Sequence, residues 1–303
     1  MPSEQSASPL RAVLVLSFGA LCISFAAIFV KLLGQDMLGP TAIGFWRTAI
    51  GALILFAWVI ARGDSLKMPP SILVFSVAAG FLFFLDLFFW HRSIIYAGAG
   101  MATILANTQV FFVSAVGFFL FRERLSFIFI IAAIAAFGGV VLLIGVGSEV
   151  EFTSVYLNGV IFGVLTGIVY GSYLVTLKKA GHRKECPGFM TVMAWTSLFT
   201  AVFCGISMLV ESDPYLPPDW YSIFVLVSLA LVAQALGWYV ISTTLPKLRA
   251  AQSGLILLLQ PVLATVWGVL FFAEHLTLLQ VVGAAVTLVA IYAGSVRKKQ
   301  VPY

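Results

Sequence analysis

Ten times along the chain an apolar run recurs that is long enough to cross about 30 Å of hydrocarbon at 1.5 Å per residue of helix. The runs lie near residues 11–33, 41–61, 71–96, 98–121, 126–146, 155–177, 188–210, 220–245, 250–272 and 277–296. The third and fourth are divided only by Gly98-Ala99-Gly100. With 61% hydrophobic and 10% charged residues among 303, the chain is too apolar for a water-soluble core. In lipid every backbone N–H and C=O must be satisfied within the fold, so runs of this length are helices. The first run is too long for a signal peptide and has no small-residue cleavage site, so it reads as a retained helix. The expected class is an all-α integral membrane protein of ten transmembrane helices.

Lysine and arginine set the orientation, because cytoplasmic loops retain them. With the N-terminus inside, Arg11, Arg62, Lys67, Arg122, Arg124, Lys178, Lys179, Arg183, Lys184, Lys247, Arg249 and residues 297–299 all fall on the cytoplasmic side. Lys31, Arg47 and Arg92 are left over, in or beside helices. Both termini are therefore expected in the cytoplasm of a cell whose inner (plasma) membrane holds the protein. The formal net charge of +5 points to anionic headgroups as the partner of these loops, and not to nucleic acid.

The stretch 98–126 returns 151 residues later as 249–277. Ala99 pairs with Ala250, Gln109 with Gln260, Gly117 with Gly268 and Phe121 with Phe272. At its end Glu123-Arg124-Leu125-Ser126 meets Glu274-His275-Leu276-Thr277. Upstream, Ile72 matches Ile223, Ala79 matches Ala230 and Leu85 matches Leu236. The chain thus reads as two five-helix repeats, 1–150 and 151–303. An odd number of spans forces the second copy to point the opposite way, and inverted repeats build alternating-access carriers with a site near the midplane.

Ten helices in two fives, an arginine in helix 2 within Phe45-Trp46-Arg47, and the paired hairpins of helices 4–5 and 9–10 resemble the EamA branch of the drug/metabolite transporter superfamily. The resemblance covers nearly the whole chain and implies a membrane carrier, often an exporter of amino acids or related metabolites. One departure is that Gln260-Pro261 has only Gln109-Val110 as its counterpart, so helix 4 is expected to be straighter than helix 9.

Helix faces suggest where a path runs. On helix 4, Gly100, Thr103, Asn107, Ser114 and Gly117 share a stripe, fitting either close helix packing or a pore lining. On helix 6, Gly159, Gly163, Gly167 and Gly171 read as a packing surface, with Thr166, Tyr170 and Tyr173 beside them. Helix 8 carries Gln234, Trp238 and Ser242 at steps of four. Asn107, Tyr170, Gln234, Trp238 and Gln260 are expected to surround one central cavity, since polar groups so deep need partners or water.

Intramembrane charges carry the most information, because each costs several kcal/mol unless paired or hydrated. Arg47 stands about 9 Å, and Asp86 about 15 Å, inside the outer ends of helices 2 and 3. Asp86, with Trp90 continuing its face, reads as a substrate or proton site; a structural ion pair with Arg47 is the alternative. Lys31 stands where it can snorkel outward. Glu123 and Glu274 are expected to hold their hairpins, with Ser126 and Thr277 as helix N-caps.

No His-Glu-x-x-His, Gly-x-Ser-x-Gly or P-loop is present, and three cysteines and three histidines show no ligand spacing. No enzyme, cofactor or metal site is expected. The leading reading is export of a small metabolite by alternating access. Arg47 and Asp86 would meet a carboxylate and an amine, with proton coupling open. The alternatives are proton-coupled efflux of lipophilic cations, whose four-helix relatives carry an acid in helix 1 that is lacking here, and a membrane scaffold without transport.

Overall fold

The computed structural model describes residues 9–33, 38–97, 102, 105–123, 125–144, 153–211, 214–272 and 277–295. Gly98, Ala99, Gly100, Thr103, Arg124, residues 147–151, Glu274, His275, Leu276 and residues 297–299 lie outside them. Ten helical segments follow one another: α1 (Pro9–Leu33), α2 (Pro40–Ala61), α3 (Pro70–Ala97), α4 (Leu105–Leu120), α5 (Phe127–Ile144), α6 (Ser154–Gly181), α7 (Phe189–Met208), α8 (Trp220–Lys247), α9 (Ala250–Phe272) and α10 (Leu278–Ser295). Seven have the length and apolarity to cross a membrane, and α4, α5 and α10 are shorter apolar helices within the described residues. The chain is a multi-pass membrane protein of ten helices.

Local chemistry sets the helix ends. Proline at the first turn, where an N–H has no partner in any case, starts α2 and α3 at Pro40 and Pro70. Thr153 and Asp219 cap α6 and α8 by accepting from Tyr156 N (3.2 Å) and Ser222 N (2.7 Å). Ser126 caps α5 through Phe129 N, as its sequence position suggests. At α10, Thr277 Oγ1 accepts from Gln280 N while Gln280 Oε1 accepts from Thr277 N, a reciprocal box. Gly63, at φ 70°, takes the left-handed turn after α2 that a side chain disfavours.

The helices pack mostly across the two halves of the sequence. α3 lies on α6 and α7, α2 on α7 and α8, α1 on α8 and α9, α4 on α6 and α9, and α5 on α10. Exchanging α1–α5 for α6–α10 maps these contacts onto themselves. The glycines of α6 let helices approach: a Cβ at Gly159 would lie 2.7 Å from Ala97 N, and one at Gly167 2.8 Å from Leu105 O. That stripe is a packing surface, as expected in lipid.

We call the membrane face at which α1 begins the N-face. In the half of the bundle next to it, Leu16, Val59, Ile72, Leu177, Met193 and Leu255 are at most 1% exposed and form one dry cluster. A second cluster of α1, α2 and α8, including Leu33, Ile43 and Leu226, sits toward the far face.

Three helices depart from continuous α-helical bonding within the described residues. α4 turns at Thr108, whose backbone N–H and Oγ1 both donate to Leu105 O (3.1 and 2.6 Å). α9 has a matching turn at Leu258, ahead of Pro261, so each of the two helices carries one turn residue although only α9 has the proline. In α8, Ala230–Gly237 is wound as a π-helix.

Candidate functional site

A cavity of about 170 Å³ lies between α1, α2, α3, α4, α6, α8 and α9, on the far-face side of the dry cluster. That volume is on the order of the ~150 Å³ cavity that takes up a benzene ring. Seven of the eight residues singled out from the sequence line it: Arg47, Asp86, Trp90, Asn107, Tyr170, Trp238 and Gln260. Ser24, Phe83 and Thr166 join them.

Gln234 does not line the cavity, which corrects the expectation that it faces it. Its side chain is fully buried against Gly51 of α2 and donates from Nε2 to Ser197 Oγ of α7 at 3.0 Å. The step of four that joins Gln234 to Trp238 on one face assumes α-helical winding. Trp238, four residues on, lines the cavity, whereas Gln234 is held in the seam between α2 and α7. Ser242, one further step on, is buried and donates to Trp238 O at 2.6 Å.

Phe83 is the hub of the cavity floor. It stacks on Tyr173 (4.9 Å between centroids, 19° between planes) and meets the edge of Trp238 at 5.2 Å. The Arg47 guanidinium lies over its ring, with Cζ 5.7 Å from the centroid. A cation over an aromatic face gains electrostatic attraction without surrendering its hydrogen bonds. Nothing in the spacing of Phe83 marked it, since it is one of 27 phenylalanines.

No ion pair within 4.0 Å joins Arg47 and Asp86 among the described residues, although the two charges are near enough to act on each other. The anticipated pair is thus two separated charges lining one cavity. Arg47 Nε and Trp238 Nε1 are buried N–H groups without a hydrogen-bond partner, an arrangement that costs free energy unless something accepts from them. Tyr170 Oη accepts from Gln260 Nε2 at 3.1 Å, which leaves its own O–H proton to donate. The site therefore offers donors at Arg47, Trp238 and Tyr170, one carboxylate at Asp86, and aromatic walls.

The rest of the lining fixes the helices around it. Trp267 of α9 stacks on Phe25 of α1 (4.5 Å) and donates from Nε1 to Ser24 Oγ at 2.8 Å. Further out, Lys31 is exposed with Nζ 4.2 Å from the Phe272 ring centroid, consistent with a lysine reaching the surface. Arg92 leaves the cavity to pair with Glu211 at 2.9 Å, tying α3 to the end of α7.

The profile of the EamA-like transporter family matches residues 10–145 and 157–295. This chain belongs to that family. Among curated proteins it is 25% identical over 200 residues to a probable amino-acid metabolite efflux pump of Salmonella typhimurium, covering 64% of this chain and 66% of the relative. It is 24% identical over 287 residues to a threonine/homoserine exporter of the same species, covering 93% and 90%. A solved crystal structure superposes with a TM-score of 0.81 at 19% identity, covering 94% of this chain and 96% of the other, which supports the ten-helix fold. The chain is a transporter with ten helices in two repeats.

Proposed function

We propose that this transporter exports a small zwitterionic metabolite, an amino acid or a close relative, by alternating access. The observation that carries the proposal is that Arg47, Trp238 and Asp86 line one cavity, with Arg47 Nε and Trp238 Nε1 unpartnered within the protein and the Asp86 carboxylate separate from the guanidinium. A carboxylate on the substrate takes the donors and an ammonium takes Asp86, so each buried charge acquires the partner it lacks. The ring faces of Trp90, Tyr170 and Trp238 accommodate what remains of the molecule. The names of the two curated relatives favour the same substrate class.

Arg47 weighs against the alternative of lipophilic-cation efflux, because a buried guanidinium in the same cavity repels a cation. In this reading the halves 1–150 and 151–303 are inverted copies, the N-face is cytoplasmic, and the membrane is the inner (plasma) membrane. Support comes from the exchange symmetry of the helix contacts and from the lysine and arginine count. Asp86 is the acid through which a proton would couple. Purified protein in proteoliposomes, given a panel of radiolabelled amino acids across a set pH gradient, tests the proposal: saturable uptake of at least one supports it, and no flux of any overturns it.

A further inference from the structure

Between the cavity and the N-face lies a pair of opposite charges, Glu123, expected to hold its own hairpin, and Lys178, expected on the cytoplasmic side. Glu123 follows α4, and its carboxylate reaches across to the start of α9. There Oε1 accepts from Ala250 N at 2.7 Å and Oε2 from Ala251 N at 3.3 Å. Lys178, near the end of α6, places Nζ 4.0 Å from Glu123 Oε1 and donates to Leu245 O and Leu248 O, the carbonyls that lead from α8 into α9. The two side chains are only 9% and 6% exposed. A carboxylate is well placed against the first N–H groups of a helix, and a lysine against the last carbonyls of one, so each charge is held by backbone dipoles as well as by the other.

The local backbone is shaped for this reach. Arg122 adopts φ 54°, a left-handed conformation that a residue with a side chain pays to hold, and it turns the chain so that Glu123 N donates back to Gly117 O at 2.9 Å. Gly117 supplies the room: a Cβ there would lie 2.7 Å from Glu123 Oε2. One turn deeper, Gln109 Nε2 of α4 donates to Gly254 O of α9 at 3.1 Å. The cluster thus ties α4 and α6 to α9 at one membrane face, while the substrate cavity lies on the other side of the dry core.

We infer that Glu123 and Lys178 are gating residues that latch the N-face shut while the cavity is served from the far face. The inference rests on the alternating-access reading above. Passage toward the N-face requires α4 and α9 to part there, and the contacts that must break are the Glu123 bonds to Ala250 and Ala251. A buried charge pair suits such a latch, since its partners are re-solvated when the face opens and desolvated again when it closes.

The test measures the latch itself. Native Cys22, Cys186 and Cys204 are replaced (Cys22→Ala, Cys186→Ser, Cys204→Ala), and nitroxide labels are placed through Phe127→Cys and Lys247→Cys, both exposed on the N-face side. The interlabel distance distribution is read by pulsed electron resonance in lipid nanodiscs. The labelled parent is expected to give one short-distance population. Glu123→Gln and Lys178→Met are each expected to add a longer population. Gly117→Ala, which keeps every charge but crowds the carboxylate, is expected to do so to a smaller extent. Unchanged distributions in all three variants, with or without lower melting temperatures, would overturn the latch and leave a static clamp. Absence of amino-acid flux from the unlabelled wild type would count against the transport reading alone, because the distances report the N-face independently of any substrate.

Discussion

Thr287 Oγ1 lies 3.3 Å from the carbonyl oxygen of Ala136, and the two residues are separated by 151 positions, the offset of the sequence duplication. Contact between equivalent positions arises where a two-fold axis passes. The neighbours agree: a Cβ at Gly139 would meet Thr287 and Gly283, and one at Gly294 would meet Ala132, so α5 and α10 run antiparallel across this point. Such a crossing is what an axis in the membrane plane produces.

At that seam Gly139→Leu is expected to destabilise the protein by about 1–3 kcal/mol, the usual cost of forcing atoms into a packed interface. The displaced groups include backbone, with Gly283 O 2.7 Å from the added Cβ, and backbone cannot rotate away. Gly138, whose Cβ would meet nothing within 4 Å, serves as the control. Thermal melting in detergent compares the two: equal melting temperatures for Gly139→Leu and Gly138→Leu would refute the close crossing.

Gln234 and Trp238 separate stability from substrate binding. Gln234→Ala removes the bond to Ser197 and leaves a hole against Gly51, so the melting temperature is expected to fall, with about 1–3 kcal/mol lost, while KM stays within a factor of two. Trp238→Phe keeps an aromatic ring and removes one N–H. It is expected to raise KM roughly two- to tenfold, the worth of a neutral hydrogen bond of about 0.5–1.5 kcal/mol. Reversal of the two effects would show that Gln234, and not Trp238, faces the substrate.

The helices and most of the cavity were legible because lipid makes the rules strict: a span must be helical, long and apolar, and a deep polar group must face something polar. Arg47, Asp86, Asn107, Tyr170 and Gln260 stood out for that reason. What escaped were features of winding and reach. Nothing in Ala-Leu-Val-Ala-Gln-Ala-Leu-Gly marks its π winding, nor that Gln234 packs against Gly51 and Ser197. α4 carries a turn at Thr108 although no proline follows it. Glu123 looked like a turn residue because the backbone it grips, at Ala250, lies 127 residues away in sequence. Phe83 is an ordinary apolar residue whose role is purely positional.

Orientation gives a third expectation. A reporter that is active only in the cytoplasm, fused after Ser295, is expected to be active, and a fusion within residues 147–151 inactive, as the lysine and arginine asymmetry dictates. An active fusion in the second position together with a silent one in the first would reverse the topology and place the Glu123 latch on the outside.

Asp86 provides a fourth. Since no ion pair within 4.0 Å holds it to Arg47, Asp86→Asn is expected to leave the melting temperature within a few degrees of wild type while substrate affinity falls about ten- to a hundredfold, the loss of a charge-assisted bond of roughly 1.5–3 kcal/mol. Adding Arg47→Gln is expected to lower transport further. Recovery of both stability and flux in the double variant would mean that the two charges serve only each other.

The most direct measurement is of which parts of a ligand the cavity requires. In proteoliposomes that show uptake of a labelled amino acid, unlabelled competitors are added in three forms: the zwitterion, its deaminated carboxylic acid, and its decarboxylated amine. A site with donors at Arg47 and Trp238 and an acceptor at Asp86 leaves buried polar groups unpaired when either end of the ligand is missing. The predicted result is strong competition by the zwitterion and weak competition by both truncated forms. Competition by the amine alone, equal to that of the zwitterion, would contradict the account and return the cavity to a cation exporter.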